Sequence, residues 1–148
     1  STRKESSAAS DVYKRQLQTL SADNENKQFL DTFKLLMRLA YMRNIRSLKK
    51  WTDSVAGFGR ERQRRMLTYF SRMIRESFMY NFQQPELVYM TQEEEDFTKN
   101  FARFVNETNV IEIEELLATA RRDIGQNANA KIVFFDLALH LIVLLMRK

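Results

Sequence analysis

An all-α fold, a single helical bundle of five to six helices, is what this sequence predicts, and three observations carry that prediction. The chain of 148 residues holds 3 Gly and 1 Pro, where average usage would supply about ten and about seven. Sandwiches and barrels turn every ~8–12 residues and use Gly and Pro to do so, so an all-β architecture is excluded. Apolar residues recur at three- and four-residue steps along most of the chain, the period of a helix with one buried face. Hydrophobic residues make up 44%, with 11 Phe and 5 Tyr. A domain of this size buries roughly two-thirds of its unfolded surface, so no metal or disulfide is needed to hold it.

Each element follows from local signals. Residues 1–16 (STRKESSAASDVYKRQ) are small and polar without an apolar period. They resemble translated cloning-adapter sequence, are expected to be disordered or peripheral, and are set aside. The first helix is expected from about Asn24, with Phe29, Phe33, Leu36, Met37, Ala40 and Tyr41 inward. Asn44 is the break and N-cap. A second helix follows with Ile45, Leu48, Trp51, Thr52 and Val55 on one face, and Gly57 is placed for a left-handed C-cap. Arg60–Phe82 reads as one long helix whose stripe is Met66, Leu67, Phe70, Met73, Ile74, Ser77 and Phe78, stopped by Gln83-Gln84-Pro85. Thr91-Gln-Glu-Glu94 is a capping box opening a helix with Phe97, Phe101, Phe104 and Val105 inward. A turn at Asn106–Asn109 leads to a helix carrying Val110, Ile113, Leu116, Leu117, Ala120 and Ile124. After the Gly125–Asn129 connection, Ala130 to about Arg147 is apolar almost all round, which predicts a buried central post. No fixed-period repeat supports a solenoid.

The composition also narrows the chemistry. Without Cys and with one His, disulfides, Cys-ligated zinc, thiol nucleophiles and two-histidine sites are excluded. Three scattered glycines cannot build a phosphate-cradling loop. The longest apolar run, Ile132–Met146, is interrupted by Asp136 and His140 and falls short of the ~20 residues of a membrane span. No secretory signal is read, and a soluble cytoplasmic protein without membrane partners is the expectation. Net charge is +5 but bipolar. Residues 38–75 carry eleven Lys/Arg against Asp53 and Glu61, a net of +9, and residues 76–127 carry eleven acids against four bases, a net of −7. Such a division suits charged partners or two helical layers with different solvent faces.

Three clusters could bear function. Glu93, Glu94, Glu95 and Asp96 spread around a first helical turn instead of converging, and favourable placement on the helix dipole accounts for them. Asp136 and His140 meet at four-residue spacing, but no nucleophile accompanies them, so a buried, mutually satisfied pair is expected. Leu137, three before His140, excludes the Glu-x-x-His motif of a di-iron bundle. The basic run Arg60, Arg62, Arg64, Arg65, Arg72 and Arg75 is the candidate surface for contact with a protein partner or DNA. No catalytic, cofactor-binding or metal-ligating residue is identified, and no enzymatic activity is expected. A helix-turn-helix around Gly57, making the chain an all-α DNA-binding transcription regulator using residues 45–75, is the alternative. The ~20-residue apolar stripe of its second helix speaks against it, because recognition helices are short and mostly exposed.

The stretch Gln126-Asn-Ala-Asn-Ala-Lys-Ile-Val-Phe-Phe-Asp-Leu-Ala-Leu-His-Leu-Ile-Val-Leu-Leu145 resembles the last helix of the collar domain in bacterial clamp-loader subunits. There a small-polar Asn-x-Asn turn leads into a long apolar helix with a mid-helix acid. Gly59-Arg-Glu-Arg-Gln-Arg-Arg-Met-Leu67 with Met73-Ile-Arg-Glu-Ser-Phe78, and the insert Tyr80–Glu94, are similar to the delta-prime subunits of DNA polymerase III in the form seen in Bacteroides-like bacteria. The resemblance covers about Leu20 to Lys148. It implies a helical collar (oligomerisation) domain over residues 17–148. Such domains pack side by side with those of gamma/tau-type ATPase and delta subunits, and hold a five-subunit ring together while it loads the sliding clamp on primer–template DNA. The family's ATP-related arginine motif and zinc module lie in an N-terminal region with no counterpart in these residues, so no nucleotide or metal residue is carried over. Far-UV circular dichroism is expected to show helix over well more than half the chain; a substantial strand signal would refute the fold class.

Overall fold

The computed structural model describes residues 2–82 and 89–147, with side chains described from residue 22 onward. It is all-helical: α1 (Thr2–Tyr41), α2 (Ile45–Ala56), α3 (Arg60–Tyr80), α4 (Gln92–Phe101), a 3-10 turn (Ala102–Phe104), α5 (Val110–Gly125) and α6 (Ala130–Leu144). No strand forms among the described residues. The expected start of the first helix near Asn24 falls inside α1. Nothing between Thr2 and Tyr41 breaks a helix, since that stretch has neither Gly nor Pro, and its Ala, Lys, Arg, Gln and Leu residues all favour the conformation. An apolar stripe reports where a helix packs, not where it begins. The expected stop at Gln83-Gln84-Pro85 lies outside the described residues; α3 ends earlier, at Tyr80.

The C-terminal half of α1 is the axis of the bundle. It contacts α2, α3 and α6, while α5 packs between α3 and α6 and α4 closes against α3. Phe29, Phe33, Leu36, Met37 and Ala40 are buried, as the stripe predicts, but Tyr41 and Ile45, expected inward, are 61 and 53% exposed, because they flank the turn where α1 ends and α2 begins. The fully buried Phe33 presents its ring to Phe70 of α3 at 5.1 Å and to Phe97 and Phe101 of α4 at 5.9 and 5.5 Å, each pair edge-to-face. That geometry sets positive ring edges against negative faces and adds about 0.5–1.5 kcal/mol per pair beyond area burial. Trp51 joins α2 to the same axis, its indole N–H donating to the Thr32 carbonyl at 3.1 Å, with its ring against Phe134 of α6.

With little glycine available, helix ends are closed by side chains and by non-glycine left-handed residues. Arg43 (φ 55°) and Asn127 (φ 63°) follow α1 and α5. Each sits in a paired C-terminal motif: the Asn44 amide donates to Leu39 and Arg43 to Ala40, and Ala128 donates to Asp123 and Asn127 to Ile124. The left-handed cap expected at Gly57 is not formed; Gly57 is right-handed (φ −83°), and the positive φ falls on Gly59 (85°), which turns the chain into α3. The last carbonyls of α2 are bonded instead by buried Gln63, whose amide donates to Val55 and Ala56 at 2.9 and 3.1 Å. Asn81 likewise donates to Ala102 and Val105, both at 2.9 Å. Buried Asn109 donates to Phe104 and Leu144, both at 2.8 Å, so it ties the 3-10 turn to the end of α6. At the starts, Asn44 caps α2 and the Thr91–Glu94 capping box opens α4, as read from sequence.

The last helix departs from expectation. Leu137, Ala138, Leu141, Leu144 and Phe134 are buried against α1, α2 and α5. The opposite side of α6 is open, with Ile132 and Val143 69 and 59% exposed and Met146, just past its end, 54%. α6 is therefore an outer helix with an apolar outer face and not a central post; apolarity all round required two contact surfaces, and the bundle supplies one. Phe33→Ala is expected to cost about 3–5 kcal/mol and Leu141→Ala about 2–5 kcal/mol. Val143→Ala should stay within roughly 0.5 kcal/mol. Urea unfolding of the three variants checks the ranking, and a Val143→Ala loss as large as that of Leu141→Ala would contradict it.

Candidate interaction surfaces

The six arginines singled out in the sequence do not form one patch. Arg60 donates to the Ile124 and Ala128 carbonyls at 3.2 and 2.9 Å, closing the end of α5. Arg62 bonds Gln28 and lies over the Phe58 ring at 4.4 Å. Arg64 reaches Glu61 at 3.5 Å and lies beside Gly125. Arg65 makes a bidentate pair with Glu25 of α1, at 2.7 and 3.1 Å. Arg72 binds Glu94, Glu76 and the Tyr89 carbonyl. Arg75 is exposed, with no bonding partner among the described residues. Most of this charge is spent within the chain, on carboxylates and carbonyls up to 68 residues away in sequence. On α3 a solvent-facing basic patch is made by Arg64 and Arg75 together with Arg121 of α5, which reaches Thr68 at 3.2 Å. Arg121 lies in the acid-rich half of the chain, so regional charge counting missed it.

Of the four acids opening α4, Glu94 alone turns inward, its side chain 4% exposed. Its carboxylate accepts from the Tyr69 hydroxyl at 2.5 Å, from Arg72 at 2.6 Å and from the Thr91 amide at 2.9 Å. One residue thus completes the capping box and bolts α4 to α3. Burial pushes the Glu94 carboxyl up, but the Tyr69 hydroxyl, the Thr91 amide and the Arg72 guanidinium together outweigh it and hold it below the usual carboxylate value. Burial also pushes Glu76 up, and there Arg72 offsets it only in part, so Glu76 stays raised. The Tyr69 hydroxyl is pushed up by burial and by its bond to Glu94. The capping-box spacing revealed Glu94's position on the helix; nothing local revealed that it is buried.

Asp136 and His140 meet on α6 at 3.4 Å, with His140 Nδ1 2.8 Å from the Asp136 carbonyl oxygen. They are not the buried pair expected. Both side chains are exposed, 64 and 57% respectively, because they lie on the open side of the helix among Ile132, Phe135, Leu139 and Val143. Polar residues at four-residue spacing in an apolar helix mark its solvent side, a signal present in the sequence and read there as an internal pair. Beside this face a groove of about 390 Å³ runs between α2 and α6, lined by Thr52, Phe135, Ile132 and Leu139 with Lys49, Asp53, Lys131 and Asp136 around them. No cluster of three or more metal-ligating side chains occurs among the described residues, and no described helix is long and apolar enough to cross a membrane. Against known proteins, no family model, curated protein or solved structure matches the chain.

The Glu94 network gives a signed pH dependence. Glu94 is lowered, so its contribution to stability is complete above the ordinary value of about 4.5 and is lost as pH falls through the lower folded value. Glu76 is raised, so its contribution is complete below about 4.5 and is lost as pH rises through the higher folded value. Urea midpoints across the acid range should show Glu94→Gln with a flatter loss of stability at the lowest pH. Glu76→Gln should remove the opposing gain just above the ordinary carboxylate value. Identical acid limbs in wild type and Glu94→Gln would contradict the assignment.

Proposed function

We propose that this chain is a non-catalytic subunit-assembly domain of the replicative clamp loader. On this reading it packs with the collar domains of gamma/tau-type ATPase and delta subunits and supports ATP-driven loading of the sliding clamp on primed DNA. The observation that carries the reading is the outward face of α6. Ile132 and Val143 are more than half exposed on a helix whose other side fills the core, as is Met146 just past its end, and Phe135 and Leu139 continue the stripe between them. A helix apolar on both sides is the signature of one that packs twice, once within its own bundle and once against a partner. The same helix bears the Asn-x-Asn turn and apolar sequence that resemble the collar domains. Charge steers and orients such an encounter more than it supplies affinity, which suits a basic border at Arg64, Arg75 and Arg121. The transcription-regulator reading has weaker support, because α3 buries Met66, Leu67, Phe70, Met73 and Ile74 along its length and most of its arginines have intramolecular partners.

The test is co-assembly. The chain is mixed with the matching ATPase and delta subunits, and separately with primer–template DNA, and complexes are sized by chromatography with light scattering. Ile132→Glu with Val143→Glu should weaken assembly by at least about a hundredfold, a few kcal/mol at an interface centre, with the helical spectrum unchanged. Arg64→Glu with Arg121→Glu should weaken it less, through encounter. Arg65 and Arg72 are unsuitable probes, since reversing either breaks an ion pair between two helices of the bundle. No co-assembly with any loader subunit, or intact assembly of the α6 variant, would overturn the proposal; DNA binding lost on reversal of Arg64 and Arg75 would favour the regulator.

A further inference from the structure

On a different part of the surface, a concave site of about 340 Å³ lies between the end of α1, α4 and the 3-10 turn. Its floor is apolar, built from Met37, Phe101 and Leu145, and Tyr41, Phe97 and Phe104 form the walls. Its rim carries three cations, Lys34 and Arg38 from α1 and Arg103 from the 3-10 turn, and no carboxylate lines it. None of the three makes an ion pair or a side-chain hydrogen bond among the described residues. This sets them apart from Arg60, Arg62, Arg65 and Arg72, each of which is bound to another part of the chain. Lys34, Arg38 and Tyr41 share one face of α1 at four- and three-residue spacing, and the Phe97–Phe104 segment closes the site from the other side. Tyr41 is 61% exposed although its ring lies 5.1 Å from Phe104.

We infer that this is a docking site for an acidic peptide segment that seats a bulky apolar side chain between Tyr41, Phe97 and Phe104 and its flanking carboxylates on Lys34, Arg38 and Arg103. Charge complementarity sets the sign of the occupant, and the ring arrangement sets its class. Single-stranded nucleic acid binds where successive bases find open aromatic faces. Here Phe97 stacks on Phe101 (5.1 Å, 18°), Lys34 lies over the Phe97 ring at 6.0 Å and Arg103 over the Phe104 ring at 4.9 Å. The faces of Phe97 and Phe104 are thus covered, Tyr41 alone keeps an exposed ring, and one open ring beside an apolar cleft is not a run of stacking platforms. An aliphatic or aromatic side chain fills such a cleft, while guanidinium and ammonium groups at its rim suit carboxylates. The inference is independent of the clamp-loader reading, because it uses neither α6's outer face nor any loader subunit.

The experiment uses a fluorescent peptide with a central Phe-Leu pair flanked on both sides by Asp and Glu, titrated with the whole chain and read by anisotropy. Controls are the same peptide with Ser-Ser at its centre, the same peptide with Gln for every acid, and an oligothymidylate of similar length. Saturable binding of the first peptide, weakened about tenfold by Arg38→Glu with Arg103→Glu and severalfold by Tyr41→Ala, is the expected result. Lys131→Glu with Arg122→Glu, an equal charge change on other exposed positions, should leave it unchanged. The inference is overturned if the Ser-Ser or Gln peptide binds equally well, if oligothymidylate is preferred, if the rim reversal has no effect, or if no binding saturates below about 1 mM. Circular dichroism of the exposed-site variants keeps loss of fold separate from loss of binding.

Discussion

Phe33 is where the fold closes. Its ring is fully buried and meets Phe70, Phe97 and Phe101 edge-to-face, so one side chain on α1 fixes the positions of α3 and α4 at once. Everything that gives the molecule a surface follows from that closure. With α1 as the axis, α2, α3 and α6 pack on it and α5 bridges α3 to α6, and α6 can bury only the side that meets α1, α2 and α5. The apolar outer stripe of α6 is the geometric remainder of a bundle too small to wrap its last helix.

The polar groups obey a second constraint, imposed by the shortage of glycine. Buried helix carbonyls need donors, and the chain recruits Gln63, Asn81, Asn109 and Arg60 to supply them. Several of the arginines that make residues 38–75 so basic are therefore structural. Arg72 shows this most clearly: it sits between Glu94 and Glu76 and over the Tyr69 ring, and binding to any outside anion would unpair a carboxylate that is itself buried. Charges bound to no buried carboxylate lie elsewhere, at Lys34, Arg38 and Arg103 and along Arg64, Arg75 and Arg121, where Arg64 and Arg121 make only exposed contacts, to Glu61 and Thr68. Only their placement in space distinguishes the two kinds.

The helical class, the order of the elements and nearly all of the core were legible in the sequence because 3.6-residue periodicity is a local signal. Phe29, Phe33, Phe70, Ile113 and Ile124 are core by spacing and core in the structure. Asn44 and the Thr91–Glu94 box were legible for the same reason, each cap being written within four residues. The N-terminal extent of α1 was not, since propensity without an apolar stripe gives no edge. The identity of the left-handed glycine was missed because Gly57 and Gly59 are two residues apart and only the path into α3 chooses between them. For the surfaces, the six arginines could be named but not sorted, as their partners lie as far away as Glu25 and Ala128. The cleft of Lys34, Arg38, Phe97 and Arg103 joins two segments that share no sequence pattern.

The central claim is that the outer face of α6 is a contact surface, and the absence of cysteine from the chain permits a direct measurement. A single Ile132→Cys substitution on that face, compared with Glu93→Cys on the exposed start of α4, can be labelled with a thiol-reactive maleimide before and after mixing with clamp-loader ATPase and delta subunits. The account predicts rapid labelling of both positions in the chain alone, and strong protection at position 132 but not at position 93 in the assembled complex. Formation of the complex with position 132 still labelling at its free rate would contradict it.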